Sequence, residues 1–124
     1  MLYLLIAISI FVPPLWFLTV PYIFYLIITR RRRGEKYATE GLIWETGGVM
    51  GTGDIDIGRA ISLYRKSCSL GNAKGCFFLA QSYKYGHGVP ESKIDYKKYM
   101  EKSKELDPEV YQHLSSQLPD MTDI

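Results

Sequence analysis

Residues 56–91 read DIGRAISLYRKSCSLGNAKGCFFLAQSYKYGHGVPE, and the spacing of their small and apolar side chains decides the fold. Asp56 carries a carboxylate suited to cap a helix start. Ile57, Ala60, Ile61, Tyr64 and Cys68 follow at intervals of three and four residues, the stripe of a 3.6-residue helix. Gly71-Asn72 breaks that helix. Ala73, Cys76, Phe77, Ala80 and Tyr83 form a second stripe, which stops at Gly86-His87-Gly88. The stretch is therefore a helical hairpin, and the rest of the soluble sequence is read against it.

C-terminal to the hairpin, Tyr96, Tyr99, Met100, Ser103 and Leu106 share a third helical face. Asp107-Pro108 restarts the chain with a capping side chain followed by proline at the first helical position. Val110, Tyr111, Leu114 and Leu118 continue on one face up to Pro119. Sliding the sequence by 36 residues sets Ala60 on Tyr96, Tyr64 on Met100, Ser67 on Ser103 and Leu70 on Leu106. A period of that size marks stacked helical hairpins. In the other direction, Trp44 and Gly47-Gly48-Val49 match Tyr83 and Gly86-His87-Gly88-Val89, with Gly41 where Ala80 falls. Residues 35–46 thus read as the second helix of an incomplete earlier unit. A lone hairpin cannot cover its own apolar face, which is why such units stack.

Further out, the composition splits sharply. Residues 1–29 hold no charged side chain, so all 15 Lys and Arg and all 13 Asp and Glu lie beyond them. Four of the cations are the run Arg30-Arg31-Arg32-Arg33. Without that run the remainder is slightly acidic, which excludes a diffuse nucleic-acid-binding surface. As a helix, 29 residues rise about 43 Å, enough to cross a hydrocarbon core of about 30 Å. A cleaved signal peptide does not fit: no basic residue precedes the run, the run is too long, and no small-x-small site precedes Arg30. A re-entrant turn at Pro13-Pro14 leaves two arms too short to cross alone. Arginine flanks stay cytoplasmic, so the N-terminus is expected outside and the repeats inside. The same arginines attract anionic lipid.

Ala60-x-x-x-Tyr64-x-x-Ser67-Cys68-x-x-Gly71, followed by Gly75-Cys76-x-x-Leu79-Ala80-x-x-Tyr83-x-x-Gly86-x-Gly88-Val89, resembles a Sel-one-like repeat. The resemblance implies an α/α solenoid unit of tetratricopeptide-like architecture, covering 56–91 well and its neighbours loosely. Ala60, Tyr64, Ala80, Tyr83, Gly86 and Gly88 are then the repeat-packing residues. Ser115 and Ser116 stand where the pattern wants Leu-Ala, so the last helix is expected to cap the stack. In the cysteine-rich branch of the family a pair with the spacing of Cys68 and Cys76 is joined, which implies a possible disulfide here. The arginine rule points the other way, to two buried thiols in a reducing compartment; a disulfide on the far side is the alternative.

No catalytic set emerges. Cys68, Cys76, His87 and His113 fall on four different elements, too dispersed for a metal centre. Gly47 to Gly53 is glycine-rich, but it lacks the Gly-Lys-Ser/Thr ending of a phosphate-binding loop and reads as an inter-repeat connection. The expectation is an all-α chain: a transmembrane helix at 1–29, a basic juxtamembrane linker at 30–36, a solenoid of about two and a half hairpins at 37–119 and a tail at 120–124. Such a chain binds and does not catalyse. It needs no cofactor, no metal and no nucleic acid, and its partner is a protein, in a membrane complex that it helps assemble. An immunity protein that neutralises a secreted toxin is the rival reading.

Overall fold

The computed structural model describes the backbone of residues 2–48, 51 and 53–118, with side chains from Trp16 onward. Among these residues there are five helices and no strand: α1 (Leu2–Thr46), α2 (Ile57–Ser69), α3 (Ala73–Tyr85), α4 (Lys93–Leu106) and α5 (Pro108–Gln117). The chain is all-α. Its contacts divide it into two units, Met1–Arg30 and Arg31–Ile124.

In the first unit the helix runs through Pro13, Pro14 and Pro21, so no re-entrant turn forms at the paired prolines. The side chains from Trp16 to Ile28 are exposed, Phe17 to 82%. Thr19 and Thr29 turn inward on their own helix: Thr19 Oγ1 donates to the Trp16 carbonyl at 3.4 Å, and Thr29 Oγ1 to those of Tyr25 and Leu26 at 2.9 and 3.0 Å. Among the described residues no helix is long and apolar enough to cross a membrane. The side chains of residues 1–15, the first half of the apolar run, lie outside that description.

In the second unit each helix begins at a capping side chain. Asp56 accepts from the Arg59 amide at 2.9 Å, Asn72 from Gly75 at 3.1 Å, Ser92 from Asp95 at 3.2 Å and Asp107 from Val110 at 3.2 Å. Each cap satisfies one of the amides a helix start leaves without an internal partner. Gly86, left-handed at φ 63°, ends α3 by donating to the Ser82 carbonyl, a conformation that costs a residue with a Cβ more than it costs glycine.

The core lies around α2 and α3. Ala60, Ile61, Tyr64, Cys68, Cys76 and Leu79 form its buried cluster, and Leu42, Trp44, Val89 and Tyr99 pack on the outside. Burying a large side chain of this kind completely contributes about 1.5–3 kcal/mol. The stripe read for α2 omits Leu63 and Ser67, and that for α3 omits Leu79 and Ser82, all four of them buried. For α3 the reason is topological: it touches α2, α4 and α5, so more than one of its faces is covered.

Two further differences from the sequence reading concern the ends. Residues 30–36 are helical and continuous with both neighbours, where a linker is expected. Leu106 and Leu118 are exposed at 38% and 46%, and α5 buries no residue completely. Pro119 and the tail at 120–124 lie outside the described residues.

Candidate functional site

Of the repeat-packing residues, Ala60 and Tyr64 lie in the core cluster, Tyr83 packs against it, Gly88 touches its edge at Ile61, and Gly86 sits apart beside Glu91. Ala60 and Tyr64 are buried to 1% exposure, Ala80 is fully buried and Tyr83 is half-buried. A Cβ on Gly41 would lie 2.6 Å from the Tyr64 ring, so α1 and α2 approach as closely as they do because position 41 is bare. Gly88, at φ 74°, sits against Ile57 and returns the chain to α4. The same polar contact closes two successive interfaces. Ser67 Oγ donates to the Gly34 carbonyl at 2.6 Å, and Ser103 Oγ to the Ala73 carbonyl at 2.8 Å; both serines are fully buried.

Tyr64 also anchors a polar cluster at the edge of the core. Its hydroxyl donates to Glu45 Oε2 at 2.5 Å, and His87 Nε2 lies 3.9 Å from Glu45 Oε1. Burial first, then the hydrogen bond to Glu45 and its negative charge, push the Tyr64 hydroxyl well above the ordinary tyrosine range. It stays protonated and acts as a donor, so this tyrosine is a fastener and not a base.

Cys68 and Cys76 are joined by a disulfide across the α2–α3 turn, with Cα atoms 4.6 Å apart. The remaining sequence candidates are scattered. His113 contacts Gln117 at 3.2 Å on α5, far in sequence from His87. Among the described residues no three His, Cys, Asp or Glu side chains gather into a metal site. In the glycine-rich connection the Gly51 and Gly53 amides donate to the Gly48 and Gly47 carbonyls, so these two donors face the loop itself and not a phosphate. Arg31, the member of the basic run in the second unit with a defined partner, pairs with Asp107 at 2.7 Å. An open depression of about 670 Å³ runs along α1 beside Arg32, Glu35, Lys36, Thr39, Glu40 and Ile43.

The feature that most resembles a binding surface is built on Tyr83 and Tyr99, two tyrosines of the sequence's aromatic stripes. Arg65 on α2 donates to the Tyr83 hydroxyl on α3 at 3.2 Å, and Tyr83 stacks on Tyr99 of α4 with ring centres 5.6 Å apart and planes within 3°. Lys98 Nζ lies 5.5 Å from the Tyr99 ring. Arg65, Tyr83, Tyr99 and Lys98 therefore form a row across three helices, cation at each end and stacked phenols between. Beside it Lys84 stands 5.4 Å from Tyr96 and 5.5 Å from Tyr85. Tyr83, Tyr96 and Tyr99 are visible in the sequence as stripes, and Lys98 is the sequence neighbour of Tyr99; the pairings of Arg65 with Tyr83 and of Lys84 with Tyr96 are not visible, because each crosses from one helix to another. Such a row has donors, charge and flat apolar area. It has the means to hold a ligand.

No family model matches the chain, and no curated protein and no solved structure matches it.

Proposed function

We propose that the chain is a membrane-anchored protein-interaction module, in which residues 1–29 hold a short Sel-one-like solenoid at a membrane and the repeats bind another protein. The observation that carries this reading is the contrast in side-chain exposure: Trp16 to Ile28 leave their apolar groups uncovered, while the repeat buries its own. An uncovered apolar surface of this length calls for lipid or a partner. Thr19 and Thr29 support lipid, because their hydroxyls are satisfied within the helix as a bilayer requires. The recurrence of the serine-to-carbonyl contact in successive units supports the repeat assignment. The role is that of an adaptor, assembly factor or accessory subunit of a membrane complex, without catalysis or cofactor.

For topology, Arg30 to Arg33 favour a cytoplasmic solenoid with the N-terminus outside. One observation favours the reverse. The Cys68–Cys76 bond belongs to an oxidising compartment such as the periplasm. Labelling intact cells with a membrane-impermeant thiol reagent in the presence of a reductant separates the two. Modification before lysis puts the repeats outside; modification only after lysis puts them inside. Crosslinking in native membranes followed by mass spectrometry tests the function. A resident membrane complex supports the adaptor, and a secreted toxin supports the immunity protein.

A further inference from the structure

Charge along the repeat unit is segregated. Residues 57–106 carry ten Lys and Arg against four Asp and Glu, whereas 34–56 carry one against five and 107–124 none against four. The basic excess therefore falls on α2, α3 and α4, the helices that build the Arg65–Tyr83–Tyr99–Lys98 row. Arg65, Lys66, Lys97, Lys98 and Lys102 are all exposed. The acidic flanks at 34–56 and 107–124 repel an anionic ligand that approaches them, which leaves α2 to α4 and the arginines at 31–33 as the basic parts of the unit.

We propose that α2, α3 and α4 form a docking surface for an acidic, extended segment of a protein partner, gripped at the row. This rests on the protein-binding reading above and names the chemistry of the partner. The stacked tyrosines give a flat base for peptide planes and methylene groups. Tyr83 holds Arg65 by its hydroxyl, and the Tyr99 ring faces the Lys98 ammonium, so both cations are partly ordered before a ligand arrives. Ordering beforehand lowers the entropic cost of binding. Carboxylates of the partner meet a guanidinium able to form two parallel hydrogen bonds at one end and an ammonium at the other. The surrounding lysines add long-range attraction that salt screens.

The test uses the full chain in a non-ionic detergent with a fluorescent decapeptide of alternating Glu and Ser, against the same peptide with Gln for Glu. The acidic peptide is expected to bind, with affinity falling at least tenfold between 50 and 300 mM salt, and the Gln peptide is not. Arg65→Glu with Lys98→Glu is expected to lose tenfold or more while the helical circular dichroism is kept. Tyr83→Phe, which removes only the hydroxyl that holds Arg65, is expected to lose two- to fivefold, and Glu109→Lys on α5 is expected to lose nothing. Equal binding by wild type and the double variant overturns the proposal. So does displacement of the peptide by soluble six-carbon phosphatidylglycerol with no preference for peptide over lipid, which makes the row a lipid headgroup surface. Photocrosslinkers at Lys97 and Lys102 in native membranes separate this failure from that of the underlying reading. Protein adducts without acidic-peptide binding sink the acidic partner alone; neither adducts nor peptide binding sinks both.

Discussion

The two units solve opposite problems with the same secondary structure. From Trp16 to Thr29 a helix displays Phe, Leu, Ile and Tyr outward, and its two threonine hydroxyls bond to carbonyls of the same helix. From Arg31 to Leu118 the apolar side chains meet one another, and buried hydroxyls reach across to neighbouring helices. Helix propensity cannot tell these apart. Threonines and serines bond back to their own helix in both units; what differs is that in the second unit two fully buried serines, Ser67 and Ser103, also reach across to a neighbouring helix. The first arrangement suits a solvent without hydrogen bonds, and the second builds a core in water.

The comparison breaks most visibly if the first unit is given charge. If residues 1–29 anchor the chain as proposed, Phe17→Arg with Phe24→Arg should cost about 5–7 kcal/mol of membrane partitioning, taking about 2.5–3.5 kcal/mol per arginine near a helix centre. Carbonate extraction should move the protein from the pellet to the supernatant. Retention in the pellet would mean that the repeat itself, or its partner, holds the chain at the membrane.

In the second unit the covalent tie comes next. Cys68→Ser with Cys76→Ser opens a short loop and should lower stability by about 2.5 kcal/mol on the chain-entropy account. A thermal melt of the full chain in detergent reads the loss, and reductant should reproduce it in the wild type and leave the double variant unchanged. Ala80→Leu sharpens the packing side of the contrast: overfilling a fully buried position should cost about 1–3 kcal/mol. An unchanged midpoint would place Ala80 on an open face.

The smallest expected effect is a change with pH. The Tyr64 hydroxyl is raised in the folded chain, while in the unfolded chain it ionises near 10. Its protonated form is therefore favoured by folding, and the stability it supplies is complete below about pH 10 and declines above it as the unfolded tyrosine ionises. Tyr64→Phe should cost about 1 kcal/mol at neutral pH by removing the donor to Glu45, and should flatten the alkaline decline. Denaturant titrations at pH 8 and pH 10.5 check both. An alkaline decline of the same size in the variant would assign it to other groups.

Helix starts were legible in residue types, since Asp56, Asn72 in the Gly71-Asn72 break and Asp107-Pro108 act through atoms a few positions away. The stops at Gly86 and Gly88 were legible for the same reason. Burial at Leu79 was not, because a stripe assumes one covered face and α3 is covered on several. Nor was the helical state of residues 30–36, where a basic juxtamembrane linker is expected and the helix on either side carries them through. Glu45 with Tyr64, and Arg65 with Tyr83, stand 19 and 18 residues apart. Their meeting depends on the rotation of one helix against the next, which no local spacing encodes.

The serine joints also bear on how such a chain changes length. Ser103 stands 36 residues after Ser67, and Ala73 stands 39 after Gly34, yet the hydroxyl reaches a carbonyl in the same way at both interfaces. The α2–α3 hairpin thus presents, on its two sides, the halves of one fitting: the Ser67 hydroxyl and the Ala73 carbonyl. An in-frame copy of that hairpin inserted beside it would meet a matching half on each side. By this geometry the length of the stack is set by the number of such hairpins, and neither end of it needs a different fitting.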